Sequence, residues 1–259
     1  MGKLSGKVAI ITGAGSGLGR ASALAFAAEG AKVAAADIME ATVNETAAQV
    51  AGQGGEAIAM VVDVARAGAV ERMVADTVKH FAKLDILFNN AGIDRPEPAH
   101  TMSEEAWDLV LNVNLKSVFL GCRYALPELM KRGGAILSTS SIAGLEGLTN
   151  HAHYCASKHG IVGLTKSLAI DYAQYNIRVN CINPGGMDTN IAAHMTANMS
   201  NEEIEMMLRR SAQLHLVNRF AQPGEVAKLA VFLCSEDASF ITGASYLVDG
   251  GWMAGHRIQ

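Results

Sequence analysis

Cysteine is scarce in this chain. Only four occur in 259 residues (Cys122, Cys155, Cys181 and Cys234), and no two form a C-x-x-C pair. That excludes a zinc ribbon and a disulfide scaffold, and fits reduced thiols in a cytoplasmic protein. His194, His215 and His256 show no metal-ligand spacing, so no metal is expected. Aromatic residues make up 5% of the chain and charged residues 18%. With abundant alanine and glycine, that argues against an all-β fold and for helices packed closely on a sheet. The net charge of −4 supplies no general basic surface for nucleic acid or anionic lipid. No apolar run is long enough to span a membrane, and the opening Met1–Lys7 segment leads into a strand-like stretch without the apolar region of a signal peptide.

What is present is a regular alternation. Half of the residues are hydrophobic, which rules out disorder. β-branched apolar runs at Val8–Ile11, Lys32–Asp37, Ala57–Asp63, Ile86–Asn89, Ala135–Ser140, Arg178–Asn183 and Ala244–Val248 are separated mostly by helical patterns. The helices fall near Gly17–Glu29, Ala41–Gln53, Ala67–His80, Glu104–Met130 (with a late kink at Pro127), His153–Tyr172 and Pro223–Leu233. This predicts an α/β fold: a doubly wound Rossmann-type sandwich with a seven-stranded parallel sheet and helices on both faces. One domain, 1–259, is the simplest organisation. The segment Asp188–Phe220 breaks the rhythm and carries Met195, Met199, Met206 and Met207. Beyond the carboxyl end of a strand, it reads as a helical substrate lid over about 188–220; the competing reading is a surface hairpin whose methionines pack on the body.

Three groups of residues point to chemistry. In Thr12-Gly13-Ala14-Gly15-Ser16-Gly17-Leu18-Gly19, glycines turn the chain sharply from the first strand and bring backbone N–H groups and a helix N-terminus toward a pyrophosphate. The spacing departs from strict G-x-G-x-x-G, since Leu18 and Arg20 stand where glycine would be needed, and a plain tight turn is the bland alternative. Asp37 ends the second strand and can accept hydrogen bonds from ribose hydroxyls. It would repel the 2′-phosphate of NADP, and neither Ser16 nor Ile38 supplies an offsetting cation. Tyr154 and Lys158 lie four apart on a helix, so both reach one site, and the ammonium is expected to lower the tyrosine pKa toward acid/base use. Ser141, just past a strand, can hold a substrate oxygen. His151 and His153 flank Tyr154 and read as solvent-facing loop histidines; the competing reading is that they contact substrate or tune the site.

The ordered set of Thr12–Gly19, Asp63-Val64, Asn89-Asn90-Ala91-Gly92, Asn114, Ser141, Tyr154 with Lys158, Pro184-Gly185 and Thr189 resembles the short-chain dehydrogenase/reductase family over essentially the full length. The resemblance implies that Tyr154 is the general acid/base, that Lys158 binds the nicotinamide ribose, that Ser141 orients the reacting oxygen, and that Asn114 holds a water behind the lysine. It implies cofactor contacts from Gly13, Ser16, Gly17, Leu18 and Gly19 at the turn, and from Asp37 and Ile38 at the ribose. Asp63 and Val64 are implied at the adenine, Asn90, Ala91 and Gly92 at the sheet end, and Pro184, Gly185, Met187 and Thr189 at the nicotinamide.

The expected protein is thus an NAD(H)-dependent oxidoreductase oxidising a secondary alcohol to a ketone. Its partners are a small alcohol or ketone substrate and copies of itself, with a homotetramer favoured over a dimer. The small residues Ala156, Gly160 and Gly163 would permit close packing between subunits. The alternatives are an NADPH-type carbonyl or 3-oxoacyl-thioester reductase, and a non-catalytic dinucleotide sensor.

Overall fold

The computed structural model describes residues 2–189 and 200–255. Seven strands form one parallel sheet: β1 (Val8–Thr12), β2 (Lys32–Asp37), β3 (Glu56–Val61), β4 (Ile86–Asn89), β5 (Gly134–Thr139), β6 (Ile177–Pro184) and β7 (Ser245–Val248). The order is β3-β2-β1-β4-β5-β6-β7, so the winding reverses between β1 and β4. In sheets of this kind ligands bind beyond the carboxyl ends of the strands at such a reversal.

The strands bury both faces, and alternate residues serve different cores. Ala9, Ile11, Val33, Ala35, Phe88 and Leu137 pack beneath α1 (Gly17–Ala28) and α8 (Pro223–Cys234). Val8, Ile10, Ala34, Leu87, Ile136 and Val179 pack beneath α3 (Ala67–Phe81), α5 (Ser117–Leu129) and α6 (Ala152–Tyr172). The period of two in a strand sends successive side chains to opposite faces, so near-continuous apolar runs are what a twice-covered sheet requires. The other α-helices among the described residues are α2 (Glu40–Gly52), α4 (Glu104–Leu111) and α7 (Asn201–Gln213).

The expected elements are present, with informative differences. β3 ends at Val61, earlier than the apolar pattern implies, because Asp63 closes a turn by accepting from Ala65 N at 3.0 Å. The helical stretch 104–130 divides into α4 and α5 around a π-helical turn, Asn112–Lys116, and α5 runs through Pro127 to Leu129. Of the 188–220 segment, α7 is helical and opens with a Ser200–Glu203 capping box. Met206 on it is exposed and Met207 half-buried, while Met195, Met199 and His194 lie outside the described residues, as does His256. Among the described residues no helix is long and apolar enough to cross a membrane.

Candidate active site

The glycine turn joins β1 to α1 at the reversal. Gly13 has φ +66° and Gly17 φ +48°, and a Cβ at Gly19 would lie 1.9 Å from the Gly13 carbonyl oxygen. Ser16 stands at the N-cap of α1 without capping through its side chain, leaving the first-turn amides free to face an anion. Leu18 points into the core and Ile38 is exposed. Asp37 reaches this turn directly: its carboxylate accepts from Gly15 N at 2.9 Å and from Met39 N at 3.0 Å. Thr189 closes the other side, its Cγ2 3.1 Å from where a Gly17 Cβ would be. The cradle therefore fits a dinucleotide, with room for close approach to the backbone at the turn and a carboxylate beside it.

Polar side chains tie the strand ends together. Thr12 Oγ1 accepts from Asn90 N and Ala91 N at 3.0 and 3.1 Å, Asn90 Nδ2 donates to Thr12 O at 3.0 Å, and Thr139 Oγ1 donates to Asn90 Oδ1 at 3.1 Å. Asn90 thereby braces β1, β4 and β5. Asn114 lies fully buried in the π-helical turn, a feature often found at functional sites. Its amide grips the Ile93 peptide, accepting from N at 2.8 Å and donating to O at 2.9 Å, and also donates to Ser157 Oγ at 3.3 Å. Gly92 packs between Asn114 and Lys158. Val64 and Asp63 are half-buried past β3.

On α6, Tyr154 and Lys158 are buried on one face. Lys158 Nζ donates to Thr139 O at 2.8 Å and lies 5.4 Å from the Tyr154 ring centroid. Ser141, whose Oγ accepts from Ala143 N at 3.2 Å, also hydrogen-bonds Tyr154 and favours its ionised form. The expected depression of the tyrosine pKa is not found in the protein alone. Burial raises it well above the ordinary value, and the Asp94 carboxylate raises it further. Burial likewise brings Lys158 down to about 8. Desolvation is the largest cause of both shifts, because both groups are taken out of water together.

The two histidines also depart from expectation, since neither faces solvent. His153 is fully buried, with Nδ1 accepting from Tyr154 N at 2.8 Å. His151 is 13% exposed and sits edge-on to Tyr154 with ring centroids 6.0 Å apart; Nε2 lies 3.1 Å from Asp94 Oδ2 and Nδ1 2.5 Å from Thr149 O. A second contact, Glu97 N to Asn150 O at 2.8 Å, joins the same two loops. The i, i+3 spacing of His151 and Tyr154 was the available signal for their proximity.

His215 is a further site residue that no motif or spacing marks in the sequence. It is buried, accepts from Gly186 N at 2.9 Å, bonds Ser211 O through Nδ1 at 3.2 Å, and is flanked edge-on by Phe220 and Trp252. It props the Pro184–Thr189 turn from beneath, beside Gly185. Met187 pairs with Ala221 in a β-bridge and packs on the core below α1 and α8.

This arrangement, a dinucleotide cradle at the winding reversal beside a Tyr–Lys–Ser cluster, belongs to a class of oxidoreductases, and the chain is a member of the short-chain dehydrogenase/reductase family. A family model described as enoyl-(acyl carrier protein) reductase matches residues 13–253. The chain is 40% identical over 252 residues, 96% of each protein, to the cyclohexanol dehydrogenase of Acinetobacter sp. (strain SE19). It is 38% identical over 250 residues to the 3-oxoacyl-[acyl-carrier-protein] reductase of Thermotoga maritima, covering 96% of this chain and 98% of that one. The crystal structure of levodione reductase superposes with a TM-score of 0.93 at 34% identity, covering 97% of this chain and 99% of that one. Membership sets aside the non-catalytic reading.

Proposed function

We propose that the protein oxidises a secondary alcohol to a ketone with NAD⁺, Tyr154 acting as general base. The observation that carries this reading is the convergence of Ser141 on Tyr154 at the carboxyl end of β5, with Lys158 held against the same ring by Thr139 O. A nicotinamide dinucleotide bound in the cradle supplies the hydride acceptor. Gly13, Ser16, Gly17, Leu18 and Gly19 would hold its pyrophosphate through backbone N–H groups, and Asp37 with Ile38 its adenosine ribose. Asp63 and Val64 would border the adenine, Asn90, Ala91 and Gly92 the sheet side, and Pro184, Gly185, Met187 and Thr189 the nicotinamide. Ser141 donates to the substrate oxygen and orients it. Tyr154 takes the hydroxyl proton, and Lys158 stabilises the phenolate. Asn114 fixes the Ile93 peptide behind them.

The preference for NAD rests on Asp37, whose charge opposes a 2′-phosphate. Arg20 stands beside the turn, but its guanidinium is committed to Gly15 O at 2.7 Å and Glu45 at 2.7 Å. The segment 188–220 acts as a lid, linked to the nicotinamide side through His215. The four free thiols support a cytoplasmic location. A homo-oligomer, a tetramer in the favoured reading, is supported by an open stripe on α6 that includes Ala156, Gly163 and an 80% exposed Ile170. Gly160 does not belong to that stripe: a Cβ there would meet Leu115 of the same chain at 2.6 Å.

Turnover followed by reduced-nicotinamide absorbance, with a panel of secondary alcohols and either NAD⁺ or NADP⁺, tests the reading. Turnover with NAD⁺ alone, lost by about 10²–10⁴-fold in Tyr154→Phe, is the expected result. Full turnover in that variant would remove Tyr154 from its role. The likeness to the acyl-carrier-protein reductase supports a second reading, reduction of a 3-oxoacyl thioester; binding of NADPH in preference to NADH would select it.

A further inference from the structure

We infer that His151 and Asp94 form a charge-compensating pair that sets the acidity of Tyr154. The inference rests on the reading of Tyr154 as the base. Both ring nitrogens of His151 face oxygen acceptors: Nε2 meets Asp94 Oδ2 at 3.1 Å and Nδ1 meets Thr149 O at 2.5 Å. A neutral imidazole has a single N–H and satisfies only one of them; the imidazolium satisfies both. The site therefore selects the cation. The ring is 13% and the carboxylate 17% exposed, so water screens the pair weakly. Its edge-on contact sets it against the Tyr154 ring, centroids 6.0 Å apart.

The surrounding charges leave Asp94 as the partner that matters. The same loop carries Arg95 and Glu97, the preceding segment Glu146, and α6 contributes His153, Tyr154, Cys155 and Lys158. Of these, Asp94 alone pairs with the imidazole, and its charge is felt by His151, Tyr154 and Lys158 alike. The carboxylate disfavours the phenolate. With His151 protonated the pair is neutral and Tyr154 ionises more readily. With His151 neutral, a bare carboxylate faces the phenol and ionisation is harder. The partner raises the His151 pKa above its ordinary 6.5, so the compensated state extends toward neutral pH. His151 and Asp94 are thus positioning residues acting through Tyr154.

The test compares pH–rate profiles for alcohol oxidation in the wild type, Asp94→Asn, His151→Gln and the double variant. His151→Gln leaves the carboxylate bare and Asp94→Asn removes it. The rising limb should therefore lie at higher pH in His151→Gln than in Asp94→Asn, with the wild type between or coincident with one of them. At one pH on that limb the two variants should differ by about three- to tenfold in rate. The double variant should recover the Asp94→Asn profile, since the harmful charge is gone; a mere loop latch would leave it as impaired as the worse single variant. In the cofactor-free protein, the His151 imidazole followed by NMR should titrate above 6.5 and return toward it in Asp94→Asn. Coincident limbs, or an unshifted His151, would overturn the pair's role while a dead Tyr154→Phe enzyme left the base assignment standing. Activity retained in Tyr154→Phe would overturn the base itself.

Discussion

At Gly19 the space a side chain would fill is taken by backbone: an added Cβ would come within 1.9 Å of the Gly13 carbonyl oxygen and 2.6 Å of its carbon. At Gly15 the obstacles are side chains, Thr42 Oγ1 at 2.4 Å and the Asp37 carboxylate at 2.9 Å, which rotate. Gly19→Ala should therefore cost stability at the scale of core overpacking, about 1–3 kcal/mol, and Gly15→Ala less. Thermal denaturation of the two variants checks the order, and equal losses would show that the helix start yields as a unit. The same logic of committed neighbours governs the catalytic cluster. Tyr154 and Lys158 are held by Ser141 and Thr139, so their geometry precedes substrate, while their ionisation is dominated by burial.

Among the elements, the link between α7 and the Pro184–Thr189 turn is the most exposed to a single change. His215 accepts the Gly186 N–H and reaches back to Ser211 O near the end of α7. His215→Leu keeps the volume but leaves the half-buried Gly186 N–H without its acceptor, a loss of about 1 kcal/mol. NADH titration by fluorescence should then show weaker binding, although no residue of the glycine turn has changed. Unaltered affinity would mean that the turn holds its shape without the histidine. His151 with Asp94, and Glu97 with Asn150, do for the 94–100 and 145–151 loops what His215 does for α7 and the Pro184–Thr189 turn: each joins segments distant in sequence.

For the whole molecule, pH acts on stability through shifted groups of both signs, of which Glu225 and His151 show the two directions. The Arg219 guanidinium holds the Glu225 carboxyl down to about 2. Its folded pKa lies below the ordinary 4.5, so its contribution is present above 4.5 and fades as pH falls toward 2. His151 is raised, so its contribution is complete below 6.5 and fades as pH climbs through the higher folded value. The melting temperature should fall toward acid pH, and Glu225→Gln should lessen that fall while leaving the alkaline side unchanged. Assembly is the other whole-molecule property: light scattering at micromolar concentration should give a dimer or tetramer, and a monomer would remove the self-association reading.

The sheet and its strand count were legible from the alternation of apolar runs with helical patterns, because a twice-covered parallel strand leaves a continuous apolar signature; the strand order, and with it the switch point, came only from the fold. The glycine turn, Asp37, Ser141, Tyr154 and Lys158 were legible because each sits at a strand end or helix spacing that local rules recognise. The division of 104–130 by a π-helical turn was not, since a π turn differs from an α turn in one hydrogen bond and carries no periodicity of its own. Nor were the places of His151, Asp94, His215 and Gly160, which depend on contacts between segments tens of residues apart. Residue spacing determined which groups share an element. Only the packed structure decided which charges face one another, and burial, which no linear pattern records, set their ionisation.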